Sequence, residues 1–78
     1  MKSAFVDWRD HVTADPTVLV GKPVLRGTRI SVEFLLGLLA AGWTEREVLD
    51  SYPMVARDGL RAALAYAADC VRARSNSA

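Results

Sequence analysis

A cluster of basic residues in the first half of the chain is well suited to contact a charged partner. Lys22, Arg26 and Arg29 fall within eight residues that contain no acid, and Thr28 adds a hydroxyl group. Such a cluster can bind phosphate groups or the acidic side chains of another protein. A solvated loop with scattered charges explains the same residues equally well, so both interpretations stay open.

A second basic pair, Arg57 and Arg61, lies one turn apart at the start of the last predicted helix. In a helix-turn-helix domain the first turns of that helix contact base edges, and arginine pairs well with guanine. Two features favour ordinary surface charge instead. Asp58 is three residues from Arg61, and the preceding helix has acids within 44–52 that would repel a phosphate backbone. The candidate DNA contacts are Arg57 and Arg61, supported by Lys22, Arg26, Thr28 and Arg29.

Residues that could perform catalysis or bind a metal are scarce. The chain has one histidine, His11, and one cysteine, Cys70, far apart in sequence. A nucleophilic site needs a nucleophile, a base and an orienting group, and a zinc site needs four ligands. We therefore predict a protein that is not an enzyme and uses no metal, cofactor or small-molecule substrate. His11 is expected on an exposed strand, and Cys70 is expected to pack as a small hydrophobic residue.

Composition points to a single small domain in the cytoplasm. The chain has 78 residues, 51% hydrophobic and 24% charged, with a net charge of +1. This balance is globular and shows no strong bias toward nucleic acid or anionic membranes. The first residues lack a signal-peptide pattern, and the longest apolar stretch, 34–41, is too short to span a bilayer. A single cysteine also suits a reducing compartment.

Turn residues and caps predict a small β element followed by a first helix. Residues 11–30 are rich in β-branched side chains interrupted by proline and glycine, which is typical of two short strands. These strands could pair within one chain or between chains. Ser31 is a suitable N-cap for a helix over 31–41, and Gly42 is a suitable residue to follow its end.

Two further helices complete the predicted fold. Thr44 and Glu47 form a capping box for a helix over 44–52, and a third helix is predicted from about 57 to 73. The predicted class is mainly α: a three-helix, helix-turn-helix domain with a small N-terminal β element. The apolar face of the third helix is expected to contain Leu60, Leu64, Ala67 and Val71.

The first predicted helix is apolar nearly all round, because only Glu33 and Gly37 interrupt its hydrophobic residues. A helix of this kind must be covered on almost every side, which one small domain can hardly do. We therefore predict an interface with a second copy or with a partner protein. Its expected residues are Val32, Leu35, Leu36 and Leu39.

Four segments, taken together and in order, resemble one known family. They are Gly21-Lys-Pro-Val-Leu-Arg-Gly-Thr-Arg-Ile-Ser-Val32, Leu38-Leu-Ala-Ala-Gly42, Tyr52-Pro53 and Ala62-Ala-Leu-Ala-Tyr-Ala67. They resemble the domain-of-unknown-function family 433, DUF433, which includes VapB-type antitoxins. The resemblance implies a homeodomain-like helix-turn-helix domain. The chain is expected to divide into an N-terminal extension over 1–10, the domain over 11–74 and a flexible tail over 75–78.

The resemblance also implies a function. Many members of this family are encoded beside a PIN-like ribonuclease. We therefore expect the antitoxin of a type II, VapBC-like pair, a homodimer that neutralises a PIN-like toxin protein and represses its own operon DNA. A stand-alone DNA-binding transcriptional regulator is one alternative. A dimeric, protein-binding adaptor that binds no DNA is the other, and the acidic second helix favours it.

Three positions depart from the family pattern. Val20 occupies a position where glycine is common, which is expected to stiffen the turn. Ala56 replaces a usual threonine cap, so Asp58 is an alternative cap that would start the third helix later. Gly59 replaces an acidic residue and is expected to weaken the first turn of that helix.

Overall fold

Three helices and a two-stranded hairpin make up the described part of the chain. The computed structural model describes residues 7–17 and 19–76. Residues 1–6 of the predicted extension and 77–78 of the predicted tail therefore lie outside the described residues. The predicted mainly α class with a small N-terminal β element is confirmed. The elements are a 3-10 turn at Trp8–Asp10, β1 at Val12–Thr13, a second 3-10 turn at Leu19–Gly21, β2 at Val24–Leu25, α1 at Val32–Ala40, α2 at Glu45–Ser51 and α3 at Arg57–Asn76.

The two strands pair with each other within the chain. They are antiparallel, with Val12 opposite Leu25 and Thr13 opposite Val24. A bridge between Val24 and Ser31 joins the hairpin to the start of α1. A hairpin this short is not stable alone in water, and the burial of Val12, Val24 and Leu25 in the core stabilises it.

Both predicted helix caps are present. At the start of α1, the Ser31 hydroxyl oxygen accepts a hydrogen bond of 2.9 Å from the backbone N–H of Phe34. At α2, the Thr44 hydroxyl accepts from the Glu47 N–H at 3.1 Å, and the Glu47 carboxylate accepts from the Thr44 N–H at 2.8 Å. These bonds satisfy donors that the first turn of a helix otherwise leaves without partners.

The hydrophobic core lies between the three helices and the hairpin. Leu35 of α1 and Leu60 of α3 are among the largest fully buried side chains, and Val32 is also buried. Leu36 and Leu39 are half-buried and pack against this core. Two of the four predicted interface residues, Val32 and Leu35, are therefore covered largely by the chain itself. A second chain would reach α1 through its more exposed residues.

The third helix begins at Arg57, without the later start that an Asp58 cap would give. The backbone N–H of Leu60 donates to the Ala56 carbonyl at 3.0 Å, which closes the first turn. Gly59 has a packing role, because a Cβ added there would lie 3.3 Å from a methyl group of Leu25. The absence of a side chain lets the first turn of α3 approach β2 closely.

The face that α3 buries differs from the predicted one. Leu60 is buried as expected, but Leu64 is 45% and Val71 62% exposed. Cys70 is also exposed, so its predicted packing role is wrong. The buried face is instead turned toward the hairpin and the N-terminal turn, which pack on α3. Its residues are Gly59, Leu60, Ala62 and Ala63.

Trp8, assigned from sequence to an extension, packs on α3. Its indole N–H donates to the Asp69 carboxylate at 2.6 Å. Its ring meets Tyr66 edge to face, with centroids 4.8 Å apart. The carboxylate of Asp69 also accepts from Arg72. These contacts attach the first 3-10 turn to the domain.

Candidate partner-binding surface

The two arginines of the predicted DNA-reading pair have different surroundings. Arg57 is exposed in the first turn of α3, and no ion pair involves it within 7–17 and 19–76. Arg61 is also exposed, but its Nε atom lies 3.7 Å from a carboxylate oxygen of Glu45 in α2. The partner of Arg61 is therefore Glu45 and not Asp58, the nearer acid in sequence.

Arg26 and Thr28 are engaged in the turn that follows β2. The Arg26 guanidinium donates to the Arg9 carbonyl at 3.2 Å. The Thr28 hydroxyl donates to the Leu25 carbonyl at 2.8 Å and accepts from the Ile30 N–H at 3.0 Å. Both residues line a depression of about 270 Å³ beside the first turn of α3. Thr28 therefore stabilises the turn through its hydrogen bonds, while Arg26 lies beside the first turn of α3.

Lys22 and Arg29 lie near α1 instead. The Lys22 ammonium is 3.1 Å from a carboxylate oxygen of Glu33, and both side chains are exposed. Arg29 lines a depression of about 340 Å³ together with Ile30 and Phe34. The six predicted basic and hydroxyl residues are therefore divided between the beginning of α3 and the side of α1.

Partly exposed aromatic rings from α1 and from the two ends of α2 meet beside this second group. Phe34 is 43% exposed and contacts Tyr52 edge to face, with ring centroids 5.4 Å apart. Trp43 is half-buried, and its ring centroid is 6.4 Å from that of Tyr52. Half-buried Leu38 lies one turn after Phe34. We call Phe34, Leu38, Trp43 and Tyr52 the aromatic face.

The space beside Phe34 is open. A depression of about 440 Å³ is lined by Phe34, Gly37 and Leu38, with Lys22 and Glu33 at its edge. A Cβ added to Gly37 would meet nothing within 4 Å. Aromatic side chains are enriched in the centres of protein interfaces, where they bury large areas at small entropic cost. The arrangement can therefore bind an apolar side chain or a helix of another protein.

Sequence reasoning missed the aromatic face, although part of its signal was present. In the sequence, Phe34 belongs to the apolar stretch 34–41 and Tyr52 to the Tyr52-Pro53 segment. The three rings are separated along the chain by up to eighteen residues. Only the packing of α1 against α2 brings them together.

Two titratable groups of α3, Asp69 and Tyr66, have shifted pKa values. The indole N–H of Trp8 is the main cause that lowers the pKa of Asp69, and Arg72 lowers it further. Burial raises the pKa of Tyr66, and the neighbouring Cys70 adds to this. Within the described residues, no group of three or more histidine, cysteine or acidic side chains is placed to hold a metal ion.

No helix in the described ranges is both long enough and apolar enough to cross a membrane.

Two known proteins are similar to this chain. An uncharacterized protein of Sinorhizobium fredii, y4eO, is 37% identical over 59 residues, which are 76% of this chain and 27% of that protein. The chain thus spans about a quarter of the length of this relative. The crystal structure of a DUF433 member protein from Anabaena variabilis superposes with a TM-score of 0.77 at 26% identity, covering 88% of this chain and 68% of that one.

The family model matches a continuous segment that holds most of the described fold. It extends over residues 12–67, from β1 through the middle of α3, and is described as a protein of unknown function. The segment includes the aromatic face and the basic residues of both groups. On this match, the chain belongs to the DUF433 family.

Proposed function

We propose that this chain is a non-enzymatic, protein-binding domain that acts in the cytoplasm as the antitoxin of a type II, VapBC-like pair. Its partner is a PIN-like ribonuclease, which it binds and neutralises. The observation that carries the proposal is the aromatic face, where partly exposed rings of α1 and of the two ends of α2 lie beside the open space at Gly37. The VapB-type assignment rests on the resemblance of the sequence to DUF433 proteins.

The local charges support a protein partner for the aromatic face. Arg29 lies beside Phe34, and no ion pair involves it in the described part of the chain. The exposed pair of Lys22 and Glu33 lies at the edge of the same surface. An apolar centre with charged residues at its edge is the usual composition of a specific protein interface. Such edge charges influence the rate and specificity of association more than its affinity.

Co-expression tests this proposal. The chain is produced with a PIN-like reading frame from the same locus, captured through a tag and sized by light scattering. We expect a stable complex that relieves growth arrest by the ribonuclease. Phe34→Ala should weaken the complex by about 30-fold or more, as is usual for a central aromatic residue.

Gly37→Leu provides a test that removes no existing contact. Leucine favours helix more than glycine, so α1 should become more stable while the open space is filled. Loss of partner binding with intact folding would support the assignment of the aromatic face as the surface that binds the partner. Met54→Ala is the matched control, because Met54 is 57% exposed and lies between α2 and α3. Full partner binding by both Phe34→Ala and Gly37→Leu would contradict the proposal.

Repression of the operon is a second candidate function, favoured by the exposed guanidinium of Arg57, which forms no ion pair with any described residue. In this function, α2 and α3 act as a homeodomain-like helix-turn-helix motif. The ion pair of Arg61 with Glu45 reduces the charge that Arg61 offers to DNA. Arg57→Ala should therefore weaken binding to operator DNA more than Arg61→Ala in a titration at several salt concentrations. Binding that is unchanged in both variants would contradict the use of α3 as the DNA-contacting helix. No DNA binding at low salt would favour the adaptor that binds no DNA.

A further inference from the structure

One side of α3 has the residue spacing of a helix–helix contact. Leu60, Leu64, Ala67 and Val71 follow one another at intervals of four, three and four residues. This alternation places apolar side chains along one line, where they pack against another helix. The chain fully covers only Leu60, while Leu64 and Val71 stay exposed. We call Leu64, Ala67 and Val71 the open seam.

An apolar groove between α1 and α3 adjoins the open seam. Its volume is about 470 Å³, and its lining includes Val32, Leu36, Tyr66, Ala67 and Val71. Grooves of this kind accept the apolar face of a helix. A helix with the apolar spacing of the open seam would fit this groove. Because α3 has that spacing, α3 of a second copy is a suitable occupant.

The edge of this groove carries opposite charges. Glu33 and Arg74 both line it. Glu33 also contacts Lys22, but exposed pairs of this kind contribute little and leave the carboxylate accessible. A contact between two identical surfaces about a two-fold axis must be complementary to itself. An edge with one carboxylate and one guanidinium meets this condition, because each can face its opposite on a second copy.

We propose that two copies of this chain dimerise through the open seam, with their α3 helices antiparallel about a two-fold axis. Val71 of each copy enters the groove of the other, and Arg74 faces the partner's Glu33. This contact uses Leu36 as a groove wall, which is one of the interface residues predicted from sequence. The two proposals can be tested separately, because Val71 and Arg74 lie outside the aromatic face, although Glu33 borders both surfaces.

Sedimentation velocity across the micromolar concentration range tests the dimer. The wild-type chain should sediment as a dimer in equilibrium with monomer. Val71→Glu should raise the dissociation constant at least about 100-fold, since each contact would bury a carboxylate without a partner. Met54→Glu is the control, with a similarly exposed side chain outside the groove, and should dimerise like wild type. Both variants should keep the far-ultraviolet circular dichroism spectrum of wild type, and their melting temperatures should match that of wild type at concentrations where every chain is monomeric.

Charge reversal distinguishes a second copy from any other occupant of the groove. Arg74→Glu alone should weaken the dimer about tenfold, because two symmetric attractions become repulsions. Glu33→Arg alone should do the same, and the double variant should return to within about threefold of wild type. A monomeric wild-type chain, a dimeric Val71→Glu variant or a double variant as weak as the single ones would each overturn the proposal.

The two proposals can also be separated in one experiment. Val71→Glu should still capture the PIN-like partner, because it leaves the aromatic face unchanged. Phe34→Ala should still dimerise for the same reason.

Discussion

Val20 adopts a backbone conformation that β-branched residues rarely occupy. Its φ and ψ angles are 56° and 37°, in the left-handed region. The neighbouring Leu19 and Gly21 also have positive φ, at 48° and 80°. The Val20 side chain is 94% exposed, so packing does not compensate for the strain. Val20→Gly would relieve the contact of Cβ with the backbone and lose almost no buried surface.

The size of the effect follows from two opposing contributions. The left-handed conformation costs an L-residue about 1–2 kcal/mol, and a β-branched residue belongs at the upper end. Glycine loses about 0.5–1 kcal/mol more conformational entropy on folding than alanine does. The difference predicts that Val20→Gly increases the free energy of unfolding by about 1 kcal/mol. In a domain of this size, that raises the melting temperature by about 4–8 °C.

Urea denaturation followed by tryptophan fluorescence measures this change, since Trp8 and Trp43 are both partly buried. Gly21→Ala is the reciprocal control. The φ of Gly21 is 80°, and a Cβ added there would lie at an ordinary contact distance of 3.8 Å from the Pro16 Cα. The substitution therefore adds backbone strain and no steric clash. The free energy of unfolding of Gly21→Ala should be lower than that of wild type by about 1 kcal/mol or more. A Val20→Gly variant that unfolds at the same urea concentration as wild type, or at a lower one, would refute the reasoning.

Three further predictions concern the core, a cap and the N-terminal turn. Leu35→Ala should lower the free energy of unfolding by about 3 kcal/mol because Leu35 is fully buried, which circular dichroism in urea would measure. Thr44→Ala should lower it by about 1 kcal/mol through loss of the bond from the Glu47 N–H, in the same assay. Trp8→Phe removes the indole donor and should raise the pKa of Asp69 toward its ordinary value, seen by NMR titration. Because the folded-state pKa of Asp69 is lowered, its stabilising effect is present at neutral pH and is lost as the pH falls through that pKa. The stability difference between wild type and Trp8→Phe should therefore narrow below about pH 4.

Each of these predictions has an outcome that would contradict it. Wild-type stability of Leu35→Ala would mean that Leu35 is not in the core. A Thr44→Ala variant as stable as wild type would show that the capping box contributes nothing to α2. An unchanged Asp69 pKa in Trp8→Phe would remove the assigned cause of its shift.

Local features were predictable from sequence because they depend on residues only a few positions apart. Ser31 caps α1 and Thr44 caps α2 through hydrogen bonds that span three residues. Periodicity gave the right number of helices but placed Leu64 and Val71 in the core. A helical period identifies an apolar face without saying what covers it. In α3 the hairpin and Trp8 cover the neighbouring face instead.

The sequence by itself determined the element order, the caps and the family, since these depend on local hydrogen bonds and on short ordered segments. Only the tertiary structure decided which side chains are free to bind a partner. Arg61 lies sixteen residues from Glu45 yet pairs with it, while Arg57 stays unpaired among the described residues. The rings of Phe34 and Tyr52 are likewise joined only by packing. Contacts between distant residues depend on how the whole chain closes around its core, which no local pattern specifies.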